Sequence, residues 1–234
     1  MKLSRRSTRG PPESWFTFFG LVVVRRTDLL AAAAFVLSLS TVGYQAWQFV
    51  RGANPQMYHP DTVYIIFDKY ANGVVGTRFA GQLSFTNDGE PGHNAIIRDV
   101  RLSLQLGEKT INEKWFAFAN ITRDDVAIKF DIKEPAHPFV VAGGGASSYL
   151  ATFAPAVKDC GDQSLTCNQA EEFVSDTDFL QLLSEQKLVY FRFAGSVFGT
   201  PRPLESRCKV SVTPDLLTTL AANGWYAVLC ASAP

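Results

Sequence analysis

Histidine is scarce in this chain: there are three, His59, His93 and His137, and two of them stand directly before proline. No two share a spacing that sets both on one face of a helix or strand, so an open zinc site completed by a carboxylate such as Glu90 has no pattern behind it. Cysteine is sparse too. Its four copies form a C-x6-C pair followed by two distant singles, which matches no common zinc spacing.

Motifs of catalysis are missing in the same way. Ser147 and Ser148 lack a G-x-S-x-G frame, which excludes a nucleophile elbow. Gly143-Gly144-Gly145 is followed by the strand-like Tyr149 to Phe153 and not by a helix N-terminus, and no Lys-Ser/Thr pair is present. A flexible hairpin turn is therefore expected there in place of a phosphate loop. The acid pairs Asp124-Asp125, Glu171-Glu172 and Asp176 with Asp178 fit no calcium loop, and adjacent carboxylates on a strand point to opposite faces. No segment repeats at a fixed period, which argues against a solenoid or propeller. The expectation is a protein that is not an enzyme, with no cofactor and no metal.

Formal charge sums to zero, but unevenly: residues 51 to 234 hold 16 basic and 20 acidic groups, while six basic and two acidic groups lie before them. So acidic a remainder offers no broad basic surface for a phosphate backbone, and nucleic acid is not expected as a partner.

Charge is absent altogether from Leu29 to Val50, 22 residues. That length matches the roughly 20 residues a helix needs to cross the hydrocarbon core, and exceeds the roughly 7 to 15 of a cleaved signal. A cut after Ala46 would also put the bulky Tyr44 at a recognition position. A retained signal anchor is expected at 29–50. Arg25 and Arg26 abut it on one side with four more basic residues upstream, and only Arg51 follows closely, so the N-terminus is expected inside and the C-terminus outside. Tyr44 and Trp47 suit the far interface, where an amphipathic ring sits at headgroup depth. The stretch 15–24, WFTFFGLVVV, is too short to span; it is expected to lie in the inner interface of the cytoplasmic segment 1–28, or to pack on another subunit.

Beyond a linker at 51–61 the pattern changes to alternation. Phe79, Gly81, Leu83 and Phe85 oppose Arg78, Gln82, Ser84 and Thr86; Val100, Leu102, Leu104 and Leu106 oppose Arg101, Ser103 and Gln105. Val126, Ile128, Phe130 and Ile132 oppose Ala127, Lys129, Asp131 and Lys133. Seven further strands are expected at 63–68, 114–121, 139–141, 148–153, 188–193, 207–212 and 225–230. Strands with one wet face point to a mainly β domain over 62–234, an antiparallel sandwich of immunoglobulin-like architecture. The likeness is one of architecture alone, since Tyr226 stands four residues before Cys230 where a tyrosine corner stands two before.

Two short helical insertions are expected. Thr213-Pro214-Asp215 supplies a cap, a proline and an early acid, and Gly224 a stop. Another helix lies within 168–186, capped by Asn168 or Ser175. All four cysteines fall in the last 75 residues, as suits disulfides in an oxidising compartment. Four cysteines permit three connectivities; the expected one joins Cys160 to Cys167 around a short loop and Cys208 to Cys230 across the base of a strand–helix–strand unit. The aromatic runs Trp115-Phe116-Ala117-Phe118 and Tyr190-Phe191-Arg192-Phe193 read as core strands covered on both faces, or as a face kept for a partner.

Together these features lead to an expected single-pass protein of the cell envelope with an extracytoplasmic β domain. It would bind protein as an accessory subunit or assembly factor of a membrane complex. A second expectation is a sensor or carrier holding a small apolar or lipid-like molecule between sheets; a third is an envelope hydrolase or metalloenzyme assembled from dispersed residues.

Overall fold

The computed structural model describes residues 16–18, 21–23, 28–69, 75–123, 128–155 and 174–233. Arg25, Arg26, Cys160, Cys167, Asn168, Asp124-Asp125 and Glu171-Glu172 lie outside these residues. The chain divides into two units, Met1–Gly52 and Ala53–Pro234.

In the first unit, within the stretch 15–24, β1 (Phe16–Phe18) and β2 (Leu21–Val23) pair antiparallel. Helix α1 (Asp28–Arg51) follows, 24 residues that rise about 36 Å at 1.5 Å each. Its stretch Leu30–Trp47 is long and apolar enough to cross a membrane, and none of that stretch is buried within the chain. The hydroxyls of Ser40 and Thr41 donate to the carbonyl oxygens of Val36 and Leu37 at 2.7 and 2.8 Å. They are thus satisfied inside the helix, as an apolar surrounding demands.

In the second unit the strands are β3 (Pro55–Tyr58), β4 (Thr62–Lys69), β5 (Val75–Asn87), β6 (Ala95–Leu106), β7 (Lys109–Arg123), β8 (Ile128–Pro135) and β9 (Phe139–Val141). They continue as β10 (Gly145–Pro155), β11 (Leu188–Val197), β12 (Leu204–Ser211), β13 (Trp225–Leu229) and β14 (Ala231–Ser232). Each of the ten runs expected as strands overlaps one of β4 to β13. Two strands remain: β14, just past the last run, and β3, which falls in the expected linker and hydrogen-bonds to β5.

All pairings are antiparallel, and the strands form one sheet in the order β13, β4, β5, β10, β7, β6, β11, β12, β14, with β3 on β5, β8 on β7 and β9 on β6. The two ends of that order are a single piece of chain. β13 bonds to β4, β14 bonds to β12, and only Cys230 separates them. The sheet therefore curls into a nearly closed, barrel-like wall, with the amide of His59 donating to Ser206 Oγ (2.8 Å) and that of Cys230 to the Asp61 carbonyl (2.8 Å) along the seam.

The expected immunoglobulin-like sandwich of two facing sheets is not what forms. A barrel and a sandwich both hide one face of every strand, so alternation cannot separate them; continuous hydrogen-bonded register and the bulges that bend β7, β10 and β11 do.

The wall's inner face is filled. Phe79, Phe85, Phe153, Phe179, Phe191 and Phe193 are all under 2% exposed. Their rings meet edge-on or tilted, Phe79 to Phe191 at 5.7 Å and Phe153 to Phe193 at 5.8 Å. At the β5 start, α2 (Asp176–Ser184) and α3 (Pro214–Asn223) supply Phe179, Leu183, Leu216 and Leu220 to this core. Ser175 is the cap of α2, its Oγ accepting from the Asp178 amide at 3.1 Å. Thr213 caps α3, and Gly224 ends it at φ 72°, a left-handed conformation that suits glycine.

At the far end of β5 sits Asn87, 1% exposed. Its Oδ1 accepts from the amides of Asn54 (2.9 Å) and Gly89 (3.1 Å), and its Nδ2 donates to the carbonyls of His93 (2.8 Å) and Val141 (3.1 Å). One side chain thus ties four segments together. The glycine run turns the chain from β9 into β10 beside it: a Cβ on Gly143 would stand 2.0 Å from the Glu90 carbonyl oxygen. The turn is not the hairpin expected, since β9 pairs with β6 and β10 with β5 and β7.

Beyond Phe118 a bulge carries β7 away from the wall, and among the described residues it pairs there with β8 alone. Tyr64 of β4 meets Phe130 of β8 at 5.2 Å, so this two-stranded arm folds over the outer surface of the sheet. Ile132, expected on a buried face, is 53% exposed, because among the described residues the arm has no second layer over it.

Candidate functional site

The histidines stay apart. His59 lies between β3 and β4, with Nε2 2.9 Å from Ser232 Oγ; His93 precedes β6; His137 lies between β8 and β9, its ring 5.2 Å from that of Phe118. Among the described residues no three His, Cys, Asp or Glu side chains converge to hold a metal ion. Asp176 and Asp178 occupy the first turn of α2, where negative charge complements the helix N-terminus. Ser148 belongs to an outward-facing ladder, within 3.1 Å of both Gln82 Nε2 and Ser84 Oγ.

Cys208 and Cys230 form the expected disulfide, with Cα atoms 5.3 Å apart, and α3 lies in the loop it closes. Tyr226 donates its hydroxyl to Asp215 Oδ2 at 2.7 Å, joining β13 to the first turn of α3 and not to a tyrosine corner. Tyr44 and Trp47 stand on the last turns of α1, 62% and 60% exposed. Phe116 and Tyr190 are 46% and 45% exposed, so each aromatic run has one covered face and one open one.

Two features escaped the sequence. Glu113 continues the inward row of Ile111 and Trp115 and is 2% exposed, with no hydrogen-bond partner at Oε2. Burial drives its carboxyl well above the usual carboxylate range, and the charge of Arg78 pulls the other way.

The other feature is an apolar stripe. Val140 of β9 is directly opposite Ile96 of β6, and the amide of Phe198, just past β11, donates to the Ile96 carbonyl at 2.9 Å. Val140, Ile96 and Phe198 thus stand side by side on three neighbouring chain segments, 52%, 38% and 67% exposed. A single exposed apolar residue is ordinary, whereas here three adjoin one another. Elsewhere on the outer surface, a groove of about 570 Å3 opens beside the β7–β8 arm, lined among others by Tyr58, Asp61, Tyr64 and Gln82. No family model matches the sequence, and no curated protein is recognisably similar to it.

Proposed function

We propose that this chain is a single-pass membrane protein whose β domain, on the extracytoplasmic side, binds protein as an accessory subunit or assembly factor of an envelope complex. The observation that carries the reading is the exposed Val140–Ile96–Phe198 stripe on a wall whose inner face is already filled. The apolar helix Leu30–Trp47 supplies an anchor, and the Cys208–Cys230 disulfide is at home in an oxidising compartment. The excess of basic residues before the span supports an orientation with the N-terminus inside.

The stripe is the part to test. In membranes extracted with a mild detergent, the chain should migrate in a complex larger than its own mass. Phe198→Glu combined with Val140→Glu should release it as a monomer while leaving its thermal midpoint within about 2 °C, since exposed substitutions rarely move stability by more than about 0.5 kcal/mol. A chain that is monomeric at native expression, or a double variant that stays in the complex, removes the basis for this function.

A further inference from the structure

A polar groove of about 520 Å3 lies on the outer face of β7, β6, β11 and β12. Strand register determines its make-up. Asn112, Ser103, Arg192 and Arg207 are directly opposite one another in one row across the four strands. The next row brings Gln105 against Tyr190, and Tyr190 against Lys209. On the other side of the central row, Lys114 is opposite Arg101, and Arg101 opposite Ala194.

Among the described residues this face therefore carries five basic side chains, Arg101, Lys114, Arg192, Arg207 and Lys209, against two carboxylates, Glu205 and Asp99. That balance reverses the one over residues 51 to 234, with its 16 basic and 20 acidic groups. Glu205 accepts from both Arg192 and Arg207, which hold it below the usual carboxylate range, and so it fixes the two guanidinium groups side by side. Both arginines remain about half exposed, 50% and 51%. A guanidinium has five N–H donors, so each keeps donors for a planar anion.

Charge is only half of the surface. Ser103, Gln105, Thr110 and Asn112 line the same groove with hydroxyls and amides, and Tyr190 presents a half-exposed ring beside them. We propose that this face binds an acidic saccharide, a sugar chain bearing carboxylates. The arginine pair would take the carboxylate, the neutral side chains the ring hydroxyls, and Tyr190 the apolar face of a pyranose. An acidic peptide would use the cations but leave the neutral row without matching hydroxyls. A nucleic-acid strand would bring one phosphate per nucleotide and depend chiefly on charge. The face shares no residue with the Val140–Ile96–Phe198 stripe, so either assignment can fail alone.

The experiment is calorimetric titration of the full chain in non-ionic micelles at about 0.15 M salt, where exposed charges are already screened beyond roughly 8 Å. The probes are hexagalacturonate, maltohexaose, hexaglutamate and hexathymidylate. Hexagalacturonate should bind at least about tenfold more tightly than the other three. R192Q combined with R207Q should weaken it by roughly tenfold or more, the loss of charge-assisted bidentate bonds. Tyr190→Ala should weaken it several-fold without changing any charge. If the arginine pair proves necessary for folding, R101Q combined with K114Q keeps the fold and should still lower affinity. Absence of hexagalacturonate binding overturns the proposal. So does equal binding of hexaglutamate or hexathymidylate, or an unchanged affinity in Tyr190→Ala, either of which marks plain ionic attraction.

Discussion

Inside the wall, Glu113 stands where period-two alternation puts it, between Ile111 and Trp115, its Oε2 without a hydrogen-bond partner among the described residues. Its proton is held more tightly in the folded chain than in the unfolded one, because burial raises its pKa. As pH climbs from the ordinary carboxylate value of about 4.3 toward that raised value, the unfolded chain ionises first, and stability falls. Glu113→Gln keeps the shape and the neutral state but removes the group that ionises. Its thermal midpoint should match the native one near pH 4 and exceed it at pH 8 by about 2–4 °C, the shift that roughly 1 kcal/mol produces in a domain of this size. Parallel midpoint curves over that range would contradict the buried-acid account. The signal is present in the sequence, since Ile111, Glu113 and Trp115 share a parity, but the strand expected at 114–121 begins one residue too late to include Glu113. Asn87 was legible only as a turn residue. Asn-Asp-Gly spells a turn locally, while two of its side-chain partners, Asn54 and Val141, lie 33 and 54 residues away.

The unit β12–α3–β13 is the element most completely written in the chain, since a threonine cap, a proline at the first turn and a left-handed glycine are all local chemistry. Its disulfide spans 22 residues, and such a closure is worth about 2–4 kcal/mol. Replacing Cys208 and Cys230 by alanine should lower stability by that amount in denaturant titration, and Thr213→Ala by about 1 kcal/mol. Reduction that leaves the midpoint unmoved would show the bridge to be idle. The β7–β8 arm is the opposite case. Its alternation of Phe130 and Ile132 against Asp131 and Lys133 looks like any half-buried strand, and nothing local records that β7 leaves β10 at Phe118. The short β3 was hidden for a related reason, its four residues being too few for a period to register.

For the molecule as a whole, the mainly antiparallel β content and the apolar helix were readable, whereas closure of the sheet and the segregation of charge were not. Net charge sums over all faces; only strand register shows that Arg101, Arg192 and Arg207 share one. Sidedness is open to direct measurement. In intact cells Cys208 and Cys230 should resist a maleimide label until reductant is added, and a reporter fused after Pro234 should be active only on the far side of the membrane. Labelling without reductant, or a reporter active in the cytosol, would reverse the topology. The seam has its own bearing on biogenesis. Residues 225–229 bond to β4 and residues 231–232 to β12, so a ribosome or export channel must release residue 232 before the second of these two edges is covered. Until that moment a bare edge can recruit foreign strands, which makes the interval between synthesis and closure the period when this protein is most exposed to aggregation.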